Sequence, residues 1–187
     1  YGADFETWVK YPDGTRKLII RTTSELPEDI YTLQPEVLLG VFVSKDKKLL
    51  YDATRQPETA LKDIMLNKET KRLRFFNLGY DGAYIIALLT KWGFTHTTDK
   101  LDINQFTTIV SPMGKIYGIS YKYTNGKKTY QTDIYDTANI FVGQSLDKAL
   151  KSFKVTGFDG RELRKLDSDD FATELWFDNS GKVIQKQ

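Results

Sequence analysis

The sequence predicts an α/β protein in which helices pack on a mixed sheet that carries an added β-hairpin. Three observations lead there. Short runs rich in Val, Ile, Leu, Phe and Tyr recur along the 187 residues. Between them lie apolar stripes at helical spacing, Ala60, Leu61, Ile64 and Met65, then Ile85, Ile86, Leu88, Leu89 and Trp92. Asn125-Gly126 separates two strand-like runs and signals a hairpin.

Residues 1–9 read as a strand ending near the turn signal Tyr11-Pro-Asp-Gly14. Residues 18–23 form a second extended piece, followed by polar sequence around Pro27 and Pro35. The β-type run 37–43, a turn at Lys45-Asp46-Lys47 and the run 48–53 make a hairpin. Pro57 opens a short helix through Leu66, as its fixed φ suits a first turn. Residues 72–78 form a strand that delivers Asn77 to its carboxyl end, and a helix spans 82–92 with Gly93 as its stop. Strands follow at 106–111, 116–123 and 129–135, then a helix at 145–153. In the acidic C-terminal part, Asp178-Asn-Ser-Gly181 reads as a turn between two extended pieces. With no internal repeat and no low-complexity linker, residues 1–187 read as one domain. Tyr1, rather than Met, at the first position leads us to expect a fragment or a processed chain.

A net charge of +2 advertises no general nucleic-acid surface, so any DNA contact must come from local patches: Lys45 to Lys48, residues 68–74, or Lys127-Lys128. Each is explained equally well as a solvated turn. The chain has no cysteine, which excludes disulfides, thiolate metal sites and cysteine nucleophiles and suits a reducing cytoplasm. No apolar run reaches the roughly 18 residues of a membrane span, and no signal peptide is visible.

Asp4 and Glu6 stand one residue apart in the first strand, on one face and about 6–7 Å from each other, with Phe5 turned the other way. Two carboxylates so placed repel, and divalent cations about 3.5–4 Å apart would relieve that while serving phosphodiester cleavage. A solvated edge strand is the plainer account. Asp81 has a structural explanation as helix N-cap, and Asn77 as a turn residue. The single histidine, His96, lies in a loop after the second helix, away from these acids, and Trp8, Trp92 and Trp176 suit packing.

Together these segments resemble a known family. Asp4-Phe-Glu-Thr7 is similar to the first exonuclease motif of DNA polymerase proofreading domains, and Asn77-Leu-Gly-Tyr-Asp81 to the second. The longer form Phe76-Asn-Leu-Gly-Tyr-Asp-Gly-Ala-Tyr-Ile-Ile86, followed by Lys91-Trp-Gly-Phe94, resembles the protein-primed family B polymerases of small linear-genome phages and linear plasmids. The likeness continues at Ile109-Val-Ser-Pro-Met-Gly114 and Thr132-Asp-Ile-Tyr-Asp-Thr137, fades after Lys154, and is poor between residues 12 and 70. It implies a ribonuclease H-like fold and 3′–5′ exonuclease chemistry that removes 3′-terminal nucleotides from DNA. Asp4, Glu6 and Asp81 would hold two Mg²⁺ or Mn²⁺ ions. Thr7, Asn77 and Tyr80 would contact the frayed 3′ end, Tyr80 by offering its ring to a base. Thr137 would contact single-stranded DNA, and Lys154 the scissile phosphate. The implied partners are single-stranded DNA, the polymerase domain of the same parent chain and a terminal protein, in the cytoplasm of a bacterial host.

The sequence departs from the family in two places. Ala138 follows Thr137 where the family has Leu. The third motif, Tyr-x-x-x-Asp on a helix, finds no tyrosine after Tyr135; Glu174 stands in that place ahead of Asp178, with Asp169 and Asp170 as rival ligands. A catalytically silent domain of the same fold, binding single-stranded DNA or a protein partner, is the alternative expectation.

Overall fold

Phe5 sets the place of the first strand. β1 (Gly2–Lys10) turns this ring into the core, edge-on to Phe42 at 5.8 Å and to Phe75 at 5.3 Å between centroids. Those partners belong to β3 (Gln34–Val43) and β5 (Arg72–Phe75), the two neighbours of β1, so one aromatic cluster joins three adjacent strands. The computed structural model describes residues 1–10, 14, 16–17, 34–141, 143–156, 162, 175–177 and 183–185.

From one edge the sheet runs β4 (Lys48–Asp52), β3, β1, β5, β9 (Lys128–Asp136), β8 (Ile116–Asn125), β7 (Gln105–Val110) and β6 (Thr95–His96). β2 (Arg16–Lys17) pairs with the end of β1 as a ninth strand. The pairs β1–β5, β5–β9 and β6–β7 are parallel, and the others along this path antiparallel. α1 (Glu58–Met65) contributes Leu61 and Met65 to the core, and α2 (Leu78–Lys91) contributes Leu78, Ile85 and Leu89. Tyr121 and Tyr123 reach across from β8 to the end of α1, their hydroxyls donating to the carbonyls of Met65 and Asn67, both at 2.8 Å. α3 (Leu146–Ser152) is capped by the Ser145 hydroxyl, which accepts the Lys148 N–H. A small antiparallel pair, β10 (Leu175–Phe177) with β11 (Val183–Gln185), forms a separate two-stranded sheet beside β2. No helix among the described residues is long and apolar enough to cross a membrane.

The mixed α/β sheet agrees with the sequence expectation, and several boundaries move. β5 stops at Phe75, three residues short of its expected end, and α2 begins at Leu78 instead of 82. Asn77 is therefore the N-cap residue of α2, in the left-handed region at φ 66°, and Asp81 lies inside the first turn, not at the cap. β1 lies between β3 and β5, but its register pair with β5 is at Gly2 alone, so at Asp4 and Glu6 only β3 is laddered to it and both side chains are exposed. In the β8–β9 hairpin Asn125 pairs with Lys128, so the turn centres on Gly126-Lys127, with Gly126 at φ 63°. Two residues were too few for β6 to show a period. The extended piece at 18–23, the turn at 178–181 and Asp169, Asp170, Glu174 and Asp178 lie outside the described residues, as does the Trp176 side chain.

Candidate functional site

The site forms where a strand pair opens. β1 and β5 are parallel neighbours, yet they share a single register pair, Gly2 with Arg74, at the start of β1. Farther along, the backbone of β1 is not laddered to β5. α2 enters there, because the chain leaves β5 at Phe75 and turns at Asn77 into the helix. The buried face of α2 reads Leu78, Asp81, Gly82, Ile85, Leu89, an apolar stripe with one carboxylate in it. A side chain at position 82 would crowd Ile116, whose nearest atom lies 3.1 Å from where a Cβ would sit. Glycine there brings the helix close to β8.

Asp81 is 5% exposed and faces β1 beside the Phe5 backbone N–H, which favours its charged form. Burial pushes its carboxyl up to about 7, and the negative charges of Asp4 and then Glu6 add to the rise. The hydrogen bonds from its own N–H and that of Phe5 oppose it. Oδ1 of Asp81 is buried with no hydrogen-bond partner among the described residues. Asp4 and Glu6 are exposed on β1, opposite Val41 and Leu39 of β3. A bulge follows between Glu6 and Thr7 and resets the alternation, so that Trp8 is buried like Phe5, its indole N–H donating to Glu36 at 3.1 Å.

Three hydroxyls adjoin the acids. Thr7 Oγ1 and Tyr80 Oη are 2.8 Å apart, and the Tyr84 hydroxyl donates to that of Tyr80 at 3.1 Å. Tyr80 is exposed, with its ring edge-on to Tyr84 at 5.1 Å. Burial raises the Tyr84 phenol to about 12, so it stays a protonated donor at neutral pH. Tyr84 was not singled out from sequence; its position four residues after Tyr80, on the same helix face, was the available signal. Asn77 is exposed beside them, and its backbone N–H donates to Asp136 Oδ1 at 3.0 Å. Thr137 follows β9, and its hydroxyl donates to the Phe75 carbonyl at 2.7 Å, which ties it to the end of β5.

Two candidates remain. Lys154 is exposed just past α3 at φ 48°, with no hydrogen bond or ion pair to the acids among the described residues; Phe153 before it packs on Phe141 at 5.5 Å, which stacks at 6.4 Å on Phe76 beside Asn77. His96 lies on β6, at the opposite edge of the sheet from β4, its ring at hydrogen-bond distance from Thr108 (3.1 Å). Asp4, Glu6 and Thr7 from the middle of β1, Asn77, Tyr80 and Asp81 from the turn after β5 and the first turn of α2, and Thr137 from the end of β9 thus lie on neighbouring elements, whereas His96 does not join them.

Among the described residues no group of three or more His, Cys, Asp or Glu side chains gathers closely enough to hold a metal ion. The donor chemistry nonetheless suits a hard divalent cation: carboxylate oxygens, one of them buried and orphaned, in a field of two further negative charges. The residues that would complete such a set, Asp169, Asp170 and Asp178, are not among those described.

No protein-family model matches the chain. It is similar to the DNA polymerases of Bacillus phages PZA and phi29, 39% identical to each over 92 residues, which cover 47% of this chain and 15% of theirs. The DNA polymerase of Bacillus phage Nf is 39% identical over 66 residues, or 35% of this chain and 11% of that one. Among solved structures, phi29 DNA polymerase complexed with single-stranded DNA shares the fold with a TM-score of 0.59 at 22% identity, covering 91% of this chain and 27% of that one. The primer-template complex of the same polymerase also gives 0.59 and 22%, covering 91% and 28%. The chain therefore spans about a quarter of the polymerase it matches in structure.

Proposed function

We propose that this chain is a metal-dependent 3′–5′ exonuclease domain of ribonuclease H-like fold that removes 3′-terminal nucleotides from DNA, the proofreading part of a protein-primed DNA polymerase. One observation carries the reading: a buried carboxylate in the apolar stripe of α2, with an orphaned oxygen, in the field of Asp4 and Glu6. A carboxylate placed there destabilises the metal-free protein, and a cation offsets that cost. The similarity to phage DNA polymerases over 92 residues points the same way.

Asp4, Glu6 and Asp81 would hold two Mg²⁺ or Mn²⁺ ions. Bound divalent cations supply an activated water and charge stabilisation at phosphorus and at the leaving oxygen. The chain's own groups bind and orient the strand. Tyr80 offers an exposed ring to a terminal base. Thr7 and the two tyrosine hydroxyls form a polar wall that can exchange hydrogen bonds with the 3′ sugar. Asn77 and Thr137 stand at the adjoining strand ends, where the single strand would run. Lys154, exposed just past α3, would contact the scissile phosphate. The whole of 1–187 is then one exonuclease-like domain, with a polymerase domain in the same parent chain, a terminal protein as further partner and the bacterial cytoplasm as location.

End-labelled single-stranded DNA incubated with Mg²⁺ or Mn²⁺ should release mononucleotides from its 3′ end. Asp4→Ala and Asp81→Ala should lower release at least about 100-fold with folding kept, since a catalytic metal supplies several kcal/mol. A second reading, a silent domain that binds single-stranded DNA, is favoured by the lack of a three-acid group among the described residues. Binding without release in either metal would establish it.

A further inference from the structure

The last residue of β9, Asp136, is a carboxylate that the proposed chemistry does not use. Asp136 closes β9 and pairs across the sheet with Phe75, the last residue of β5. Its side chain is wholly enclosed. Oδ1 accepts two backbone N–H groups, from Asn77 at 3.0 Å and from Ala138 at 2.9 Å. Oδ2 is buried without a hydrogen bond among the described residues and lies 3.7 Å from the Lys115 ammonium. That ammonium also approaches Asn139 Oδ1 at 3.4 Å and sits 5.6 Å from the Tyr117 ring centre, while the Lys115 side chain is 40% exposed.

We infer that Asp136 is a positioning residue for single-stranded DNA and that Lys115, which it anchors, is a backbone phosphate contact. The inference rests on the proposed function for the identity of the strand. Its geometry stands by itself. The two N–H groups on Asp136 belong to different segments, the turn after β5 and the turn after β9, and each carries a residue facing the same site, Asn77 and Thr137. A single oxygen therefore fixes the distance between them. Asn77 sits in left-handed backbone that L-residues disfavour, and a charge-assisted hydrogen bond from its N–H holds it there. A buried carboxylate beside a DNA path would repel phosphate. Lys115 neutralises it, and its outward-facing exposure leaves an ammonium donor for the strand.

The test measures binding of fluorescein-labelled oligothymidylate in EDTA across a salt series, with mononucleotide release in Mg²⁺ as a separate reading. Lys115→Ala should weaken binding about five-fold and lower the salt slope by about 0.7, the signature of one phosphate contact on a single strand. Asp136→Ala should weaken it about ten-fold or more, raising KM while kcat at saturating strand holds within about three-fold. Asp136→Asn keeps an oxygen for both N–H groups and should recover most of the affinity. Should Asp136→Ala fail to fold, the Asn and Lys115 variants decide. Unchanged affinity and slope in Lys115→Ala, or normal binding by folded Asp136→Ala, overturns the inference. A wild type that binds the oligonucleotide but releases nothing sinks the exonuclease reading and leaves this one standing. A wild type that does not bind overturns this inference, and one that also releases nothing in Mg²⁺ overturns both.

Discussion

Asp81→Asn should remove a pH dependence of stability that the wild-type protein owes to one carboxyl group. The group is 5% exposed and titrates near 7 in the folded state, against 3.8 for an ordinary aspartate. Its folded-state value is raised, so the folded protein holds the proton where the unfolded chain has released it. Stability is therefore greatest below about pH 4 and is lost as pH rises toward 7, by up to about 1.4 kcal/mol per unit. Over some three units the loss from this group approaches about 4 kcal/mol, an upper figure, and it levels off above pH 7. Asn is neutral throughout and contributes no slope. Its amide donors go partly unsatisfied at a cost of about 1–3 kcal/mol, so the informative quantity is the difference in slope between the two proteins. Urea unfolding in EDTA at pH 5, 6, 7 and 8 measures it, other titrating groups cancelling between wild type and variant. Added Mg²⁺ at pH 8 should then stabilise the wild type and not the variant, because a ligand of the folded state shifts the equilibrium toward it. Parallel pH curves for the two proteins would refute the reasoning: the carboxyl would then ionise without strain, and neither burial nor the charges of Asp4 and Glu6 would bear on it.

Two further outcomes concern the frame that holds the site. Phe5→Ala removes the ring between Phe42 and Phe75 and should cost about 3–5 kcal/mol in urea unfolding. Gly118→Ala would bring a Cβ to 3.1 Å of the Ile134 carbonyl oxygen on the neighbouring strand, where backbone cannot yield, and should lower stability by about 1–3 kcal/mol in thermal unfolding.

Local signals in the sequence were enough for the strands and helices of the described core. Alternation placed Phe5 inward, the stripe Ile85 to Trp92 marked α2, and Asn125-Gly126 came within one residue of the observed turn centre. What depends on pairing at a distance was not legible. That β1 lies between β3 and β5 follows from how Phe42 and Phe75 close on Phe5, and neither ring is near it in sequence. The start of α2 was read four residues late because Asp81 suits a cap as well as a first-turn position. Its neighbours Leu78 and Gly82 identify it as part of the buried stripe only once the helix is known to begin at Leu78. The role of Asp136 was hidden for the same reason, since its hydrogen bond to Asn77 spans 59 residues.

The open pair of β1 and β5 explains why a carboxylate can sit in an apolar stripe at all. After Gly2 the two strands share no register pair, so backbone donors along that side of β1 have no strand partner. Asp81 stands beside the Phe5 N–H, where a strand carbonyl would otherwise be. That duty needs one oxygen and no charge; a neutral amide oxygen would meet it without the burial penalty or the repulsion from Asp4 and Glu6. The second oxygen, Oδ1, then has no structural work among the described residues, and its charge is a liability to the fold. Asp81→Asn separates the two duties, since the N–H keeps an acceptor and the charge is gone. Persistence of the fold with loss of cation stabilisation and of nucleotide release would assign the charge to a bound ion. Loss of the fold would assign Asp81 to the strand gap alone.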